Sequence, residues 1–215
     1  YDPFKELAPV ALAGGQANVC TVRSDAGIQS MKDLVAAMRA RPGQFNFSST
    51  GVGSLSHLGI ELLKVKTGTF AVHIPYPSSP AAVTALLQGD VQFACVPAVA
   101  VMPQVKAGRL RALAVSTGTR SSLMPDVPTM KESGYADFET WTWTSFYVRA
   151  ETPDPVVNRL AELMQQVLDT DEAKAYAKSR PGSRLNAGPE EMRRFHRSEF
   201  ERFKKVAEAA GVKPE

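Results

Sequence analysis

Phe45-Asn46-Phe47-Ser48-Ser49-Thr50-Gly51-Val52-Gly53-Ser54 is the stretch on which the fold turns. A short β-rich run ends in hydroxyls and glycines, and a helix carrying Leu58, Leu62, Leu63 and Val65 follows at once. The same grammar repeats on both sides. Upstream, Val19-Cys20-Thr21-Val22 reads as a strand. Ser30 then caps a helix, with Asp33 closing a capping box and Met31, Leu34, Val35 and Met38 on one face. Downstream come a strand Ala71-Val72-His73-Ile74, the turn Tyr76-Pro77-Ser78-Ser79, and a helix with Pro80 as its first residue and Ser79 as its cap. Val91 to Cys95 is a fourth strand, and Leu110 to Val115 a fifth after a short helix. Strands separated by helices at this spacing predict crossover units and a doubly wound, mostly parallel α/β sheet.

Beyond Thr117 the pattern changes. A proline-punctuated loop precedes an aromatic β segment, Phe138 to Val148, and the chain closes with helices opened by Asp154-Pro155 and Pro189. Composition narrows the field. Hydrophobic residues make up 44% of 215, too many for a disordered chain, and no apolar run is long enough to span a membrane. The formal net charge of +3 is too slim an excess to point to nucleic acid. Cys20 and Cys95 lack metal-type spacing; they read as buried thiols, with a disulfide the alternative in an exported chain.

In open α/β sheets, ligands bind beyond the carboxyl ends of the strands. Two turns have the right form for that: Ser48 to Ser54, and Ser78-Ser79-Pro80. Glycine lets backbone N–H groups approach a ligand, hydroxyls donate or accept, and each following helix aims its positive end at the same place. Residues 42–60 contain no Asp, Glu, Lys or Arg, and residues 67–105 contain only Asp90. An anion held there would be held by dipoles and neutral donors. The plain alternative is that both turns only cap their helices. A serine nucleophile is disfavoured: Gly51-Val52-Gly53-Ser54 lacks the G-x-S-x-G spacing, and no acidic residue close in sequence is expected to orient His57. His73 reads as a hydrogen-bonded structural histidine. His196, among Arg193, Arg194, Arg197 and Glu199, reads as part of a solvated face. No Walker-type motif or metal-ligand cluster is present, so no cofactor is implied.

At these residues the sequence resembles the Bug-type extracytoplasmic solute receptors of tripartite tricarboxylate transporters. Tyr1-Asp2-Pro3-Phe4-Lys5-Glu6-Leu7-Ala8-Pro9-Val10 is similar to the family's Y-D-P-x-K-D-F-x-P-V. Pro42-Gly43 with Ser49, Gly51, Gly53, Ser54, His57 and Leu58 matches its P-G and S-x-G-x-G-S-x-x-H-L signatures, and His73-Ile74-Pro75-Tyr76 matches H-V-P-Y. Lys106 to Val115 matches K-A-G-K-L-R-A-L-A-V, and Leu123 to Thr129 carries the L-P-D-V-P-T loop. The resemblance implies a type II periplasmic-binding-protein fold whose two lobes close on a small carboxylate. It implies an exported, periplasmic receptor that works with membrane transporter subunits and performs no chemistry. The ligand-binding residues it implies are Ser48, Ser49, Thr50, Gly51, Gly53, Ser54, His57, Tyr76, Ser78 and Ser79.

Against the family pattern, residues 19–146 correspond to a nearly complete second lobe. Residues 1–18 and 147–215 correspond to part of the first, with crossings near 18 and 147, and an oligomer covering that incomplete lobe is expected. The resemblance implies a dicarboxylate, amino acid or aromatic acid as ligand; the usual lysine after H-V-P-Y is replaced by Pro77, and Ala94-Cys95-Val96-Pro97 makes one wall more apolar, which favours a less polar or aromatic acid. The competing reading is a degenerate sensing or interaction module on the same fold, with no ligand of its own.

Overall fold

The computed structural model describes all residues except 1, 137, 179–181, 184–186, 214 and 215. Its elements in chain order are α1 (Pro3–Glu6), β1 (Leu7–Arg23), α2 (Met31–Ala40), β2 (Asn46–Ser49), α3 (Leu55–Thr67), β3 (Val72–Pro75), α4 (Ser79–Gln88), β4 (Phe93–Pro97), α5 (Ala98–Lys106), β5 (Leu110–Val115), β6 (Trp141–Arg149), α6 (Asp154–Leu168), α7 (Asp171–Lys178), β7 (Gly182–Ser183) and α8 (Pro189–Ala210). Two compact units result. One holds Tyr1–Gln16 and Trp143–Arg202, the other Ala17–Thr142 and Phe203–Glu215.

The larger unit carries a sheet in the order β3-β2-β4-β1-β5. β2 runs parallel to β3 and β4, while β1 is antiparallel to β4 and β5, so a single reversed strand sits inside an otherwise parallel sheet. Both sheet faces are covered, as crossover connections require. On one side Met31, Leu34, Val35 and Met38 of α2 and Ile60 and Leu63 of α3 bury against Cys20, Val22, Phe47 and Phe93. On the other, Val83 and Leu86 of α4 and Val101 of α5 bury against Ala17, Val19, Ala94 and Val96. Each such aliphatic side chain contributes roughly 1.5–3 kcal/mol of burial. The α2 face is the one its i, i+3, i+4, i+7 spacing predicts.

Cys20 and Cys95 stand directly opposite each other on β1 and β4 and form a disulfide. The expectation of two buried thiols is therefore corrected. Their environment is apolar as read, but strand register, invisible across 75 residues of sequence, brings them together.

In the smaller unit, Val157, Leu160, Ala161 and Met164 of α6 pack on Val10, Ala11 and Val148. Met192 and Phe195 of α8 pack with Leu12, Trp143 and Tyr147. His196 departs from the solvated face expected of it. Its ring lies 4.8 Å from that of Phe4, its Nδ1 is 3.1 Å from the Tyr147 hydroxyl, and burial pushes its pKa down. The end of α8 behaves differently from the rest: Phe203, Val206 and Ala207 pack on Leu55, Leu58 and Leu62 of α3. The family pattern assigns all of 147–215 to the first lobe. The apolar stripe of α8 instead continues far enough to bring its last turns into the larger unit. Among the described residues, no helix is long and apolar enough to cross a membrane.

Candidate functional site

Parallel pairing places the carboxyl ends of β2, β3 and β4 along one edge of the sheet, so the turns that follow them are neighbours. Ser49 is in register with Pro75, and the Ser49 carbonyl accepts a hydrogen bond from the Tyr76 N–H at 3.0 Å. The strand order reverses between β2 and β4, which is where open α/β sheets form their ligand crevice.

The turn after β2 is held from beneath. Successive side chains on a strand point to opposite faces. The Ser48 hydroxyl accordingly donates to the Ala82 carbonyl of α4 at 3.1 Å, while the Ser49 hydroxyl lies 2.5 Å from His73 Nε2 on the α3 side. Both serines are fully buried. Ser49 Oγ also accepts from the Gly51 N–H, and the Gly53 N–H donates to His57 Nδ1 at 3.1 Å. Thr50 is tied to Ser56 through both its N–H and its hydroxyl. Gly51 and Gly53 have φ of 119° and 74°, a region that a residue with a Cβ enters only under strain. A Cβ at either position would meet nothing within 4 Å, so the outer face of this turn is open space.

Ser54 caps α3, its hydroxyl accepting from the His57 N–H at 3.3 Å. Ahead of it, Val52 and Gly53 are exposed. The N–H groups of Leu55 and Ser56, in the first turn of α3, have no intrahelical acceptor. The second turn differs slightly from expectation. Ser78, not Ser79, is the cap of α4, accepting from the Ala81 N–H, and Pro80 is the second helical residue, where its missing N–H costs nothing. Ser78 is exposed, and Tyr76 and Ser79 are half-buried.

Beneath the first turn lies a compact polar cluster. The rings of His57 and His73 stack 3.8 Å apart, with Phe47 5.0 Å from His73. An acidic partner for His57 exists after all: Glu61 Oε1 is 3.5 Å from its Nε2, and Lys64 Nζ is 2.6 Å from the same oxygen. The i, i+4 spacing of His57 and Glu61 on one helix was the signal for it. Burial pushes the Glu61 carboxyl up, but hydrogen bonds from His57 and Lys64 outweigh it and hold the group below its ordinary value. Burial first, then the charges of His57 and Lys64, push His73 down to about 4 against the opposing pull of Glu61. Ser54, His57 and Glu61 still do not form a nucleophilic relay. The Ser54 hydroxyl donates to the Gly51 carbonyl at 2.7 Å, and both ring nitrogens of His57 face other groups.

The structure thus brings all ten sequence-predicted residues to one end of one sheet. Ser48, Ser49 and His57 are buried; Thr50, Gly51, Gly53, Ser54, Tyr76, Ser78 and Ser79 reach the surface to some degree. Sequence reasoning missed Asn18, at the same end of the sheet in register with Pro97. Its signal was a lone amide inside the apolar run Ala17-Asn18-Val19.

Comparison with known proteins agrees with this architecture. The chain is 30% identical over 213 residues to protein BugT of Bordetella pertussis, covering 99% of this chain and 65% of that protein. It is 32% identical over 209 residues to a UPF0065 protein encoded in the tcbD-tcbE intergenic region of Pseudomonas sp. strain P51, covering 96% of this chain and 62% of that protein. The chain therefore spans somewhat less than two thirds of these curated relatives. Among solved structures, R. palustris Rpa4515 with adipate superposes with a TM-score of 0.91 at 29% identity, covering all of this chain and 72% of that one. The periplasmic binding protein BugD superposes at 0.89 with 26% identity, covering 100% and 73%. The fold is thus the type II periplasmic-binding-protein-like α/β fold of the TctC and Bug proteins. The family model for the tripartite tricarboxylate transporter family receptor, TctC, matches residues 1–212, and the chain belongs to that family.

Proposed function

We propose that this chain is the solute-binding part of a receptor that captures a small carboxylate and delivers it to the membrane subunits of a tripartite tricarboxylate-type transporter, without chemistry of its own. The observation that carries the reading is the convergence of two charge-free turns, each opening a helix, at one sheet end. Such an arrangement offers dipoles and neutral donors to an anion and no fixed counter-charge, which suits a ligand that has to be released again. In this reading the turn Thr50 to Ser54, with Tyr76, Ser78 and Ser79, meets the ligand, while Ser48, Ser49 and His57 hold the turn from behind. The structural likeness to R. palustris Rpa4515, solved with adipate, supports a dicarboxylate as the first ligand to try. The Cys20–Cys95 disulfide supports a periplasmic location, where such bonds persist. We further infer that residues 19–146 act as one lobe of the receptor.

The test is a thermal-shift screen with mono-, di- and tricarboxylates and aromatic acids. A binder raises the melting temperature with concentration by mass action. Flat curves across the whole set would refute the receptor and leave a sensing or interaction module on the same fold.

A further inference from the structure

We propose that Asn18 is a specificity-determining residue of the carboxylate site, presenting its side-chain amide N–H to the bound acid; this rests on the receptor reading above. Asn18 is 1% exposed, and its Nδ2 has no hydrogen-bond partner among the described residues. The rest of the residue is fully engaged. Its Oδ1 accepts from the Thr142 hydroxyl at 3.0 Å, its N–H donates to Ser116 Oγ at 2.9 Å, and its carbonyl accepts from the Ser116 N–H at 2.9 Å. The Thr142 bond engages the oxygen end of the amide, and the donor end is left over. A buried donor left unpaired destabilises the fold by about 1–3 kcal/mol, so its retention calls for a partner.

Placement indicates what that partner is. Ala17 and Val19 face the α4 and α5 side of the sheet, and Cys20 and Val22 face the α2 and α3 side. By alternation the Asn18 side chain lies on the α3 face. It is level with Pro97, at the carboxyl end of β4, the same end from which the Ser49 turn springs. α3 lies close against the segment leading to Thr142: a Cβ on Gly59 would stand 3.5 Å from Thr140 Cγ2. One turn before Gly59 are Leu55 and Ser56, whose N–H groups at the helix start lack intrahelical acceptors. The orphan amide and the helix mouth therefore occupy the same face and end of one sheet. An uncharged donor there suits a carboxylate oxygen and offers nothing to an ammonium group.

Asn18→Asp tests this, because Asp retains an oxygen for the Thr142 hydroxyl and replaces the donor end by a carboxylate oxygen, whose burial also lowers stability. Binding of adipate and of 6-aminohexanoate, which replaces one carboxylate by an ammonium, is measured by calorimetry. Wild type should favour adipate; Asn18→Asp should lose at least about tenfold in adipate affinity and shift its preference toward 6-aminohexanoate. A purely structural role would weaken both ligands alike, and that outcome or equal adipate affinity in both proteins would overturn the assignment. A measurement on the wild-type chain covers a variant that misfolds. The Asn18 side-chain NH2 pair in a 15N-correlated NMR spectrum should move as adipate is added, and an unmoved pair in a ligand-saturated sample overturns the proposal. Should no carboxylate bind wild type at all, the receptor reading itself fails, and this inference with it.

Discussion

Breaking the Cys20–Cys95 bond should destabilise the larger unit substantially. The two residues lie 75 apart in sequence yet directly opposite in space, so the bond closes a long loop in the unfolded chain. The loop-entropy relation assigns a loop of that length about 4.5 kcal/mol at 25 °C. For a chain of this size each kcal/mol shifts the melting temperature by roughly 2–4 °C, so the fully reduced protein should melt about 10 °C lower. The assay is urea denaturation followed by far-UV circular dichroism, with and without reductant, and with thiol alkylation and mass measurement confirming the redox state. Cys20→Ala/Cys95→Ala gives the same comparison without reductant. Because both sulfurs sit in the core beside Phe47 and Phe93, that variant should be at least as unstable as the reduced protein. Coincident urea midpoints for oxidised and verified reduced protein would refute the reasoning.

Acid should weaken the fold through His73. Its pKa is about 4 in the folded chain and 6.5 ordinarily, so the unfolded state binds the extra proton first as pH falls, and stability declines between pH 6.5 and 4. The loss is at most about 3 kcal/mol, reduced by solvent screening of a half-buried ring, and it should shrink in His73→Gln when melting is followed across that range. A pH-independent wild type would contradict it. Ser54→Ala should cost about 1 kcal/mol of stability by removing the α3 cap, read as a lowered urea midpoint. Light scattering should report an oligomer, since Val156, Leu163 and Val167 stand exposed along one side of α6; a clean monomer counts against the expectation.

The run from α2 to β5 was legible because its signals are local: caps, apolar spacing and turn residues each fall within a few positions. What the sequence concealed was pairing. β1 extends well upstream of Val19, through Gly14-Gly15-Gln16; its ladder is made with β4, β5, β6 and β7, all far away in sequence. The cysteine pairing was hidden by the same distance. Within the site, residue identity marked the right turn but not which hydroxyls face inward, because that depends on where β2 ends. Two misreadings had their signal in plain view. His196 follows Met192 by four residues on an apolar stripe, although arginines flank it in the chain. Glu61 follows His57 by four on α3, on the same helix face.

Ser48 and Ser49, two adjacent hydroxyls pulling in opposite directions, pin the root of the glycine turn to both helical layers at once. A root clamped from both sides leaves little for an arriving molecule to organise, so the entropy of arranging that turn is settled during folding and is not charged against affinity. In the proposed receptor, association with such a turn is governed by encounter, and differences among acids should appear in how fast they leave.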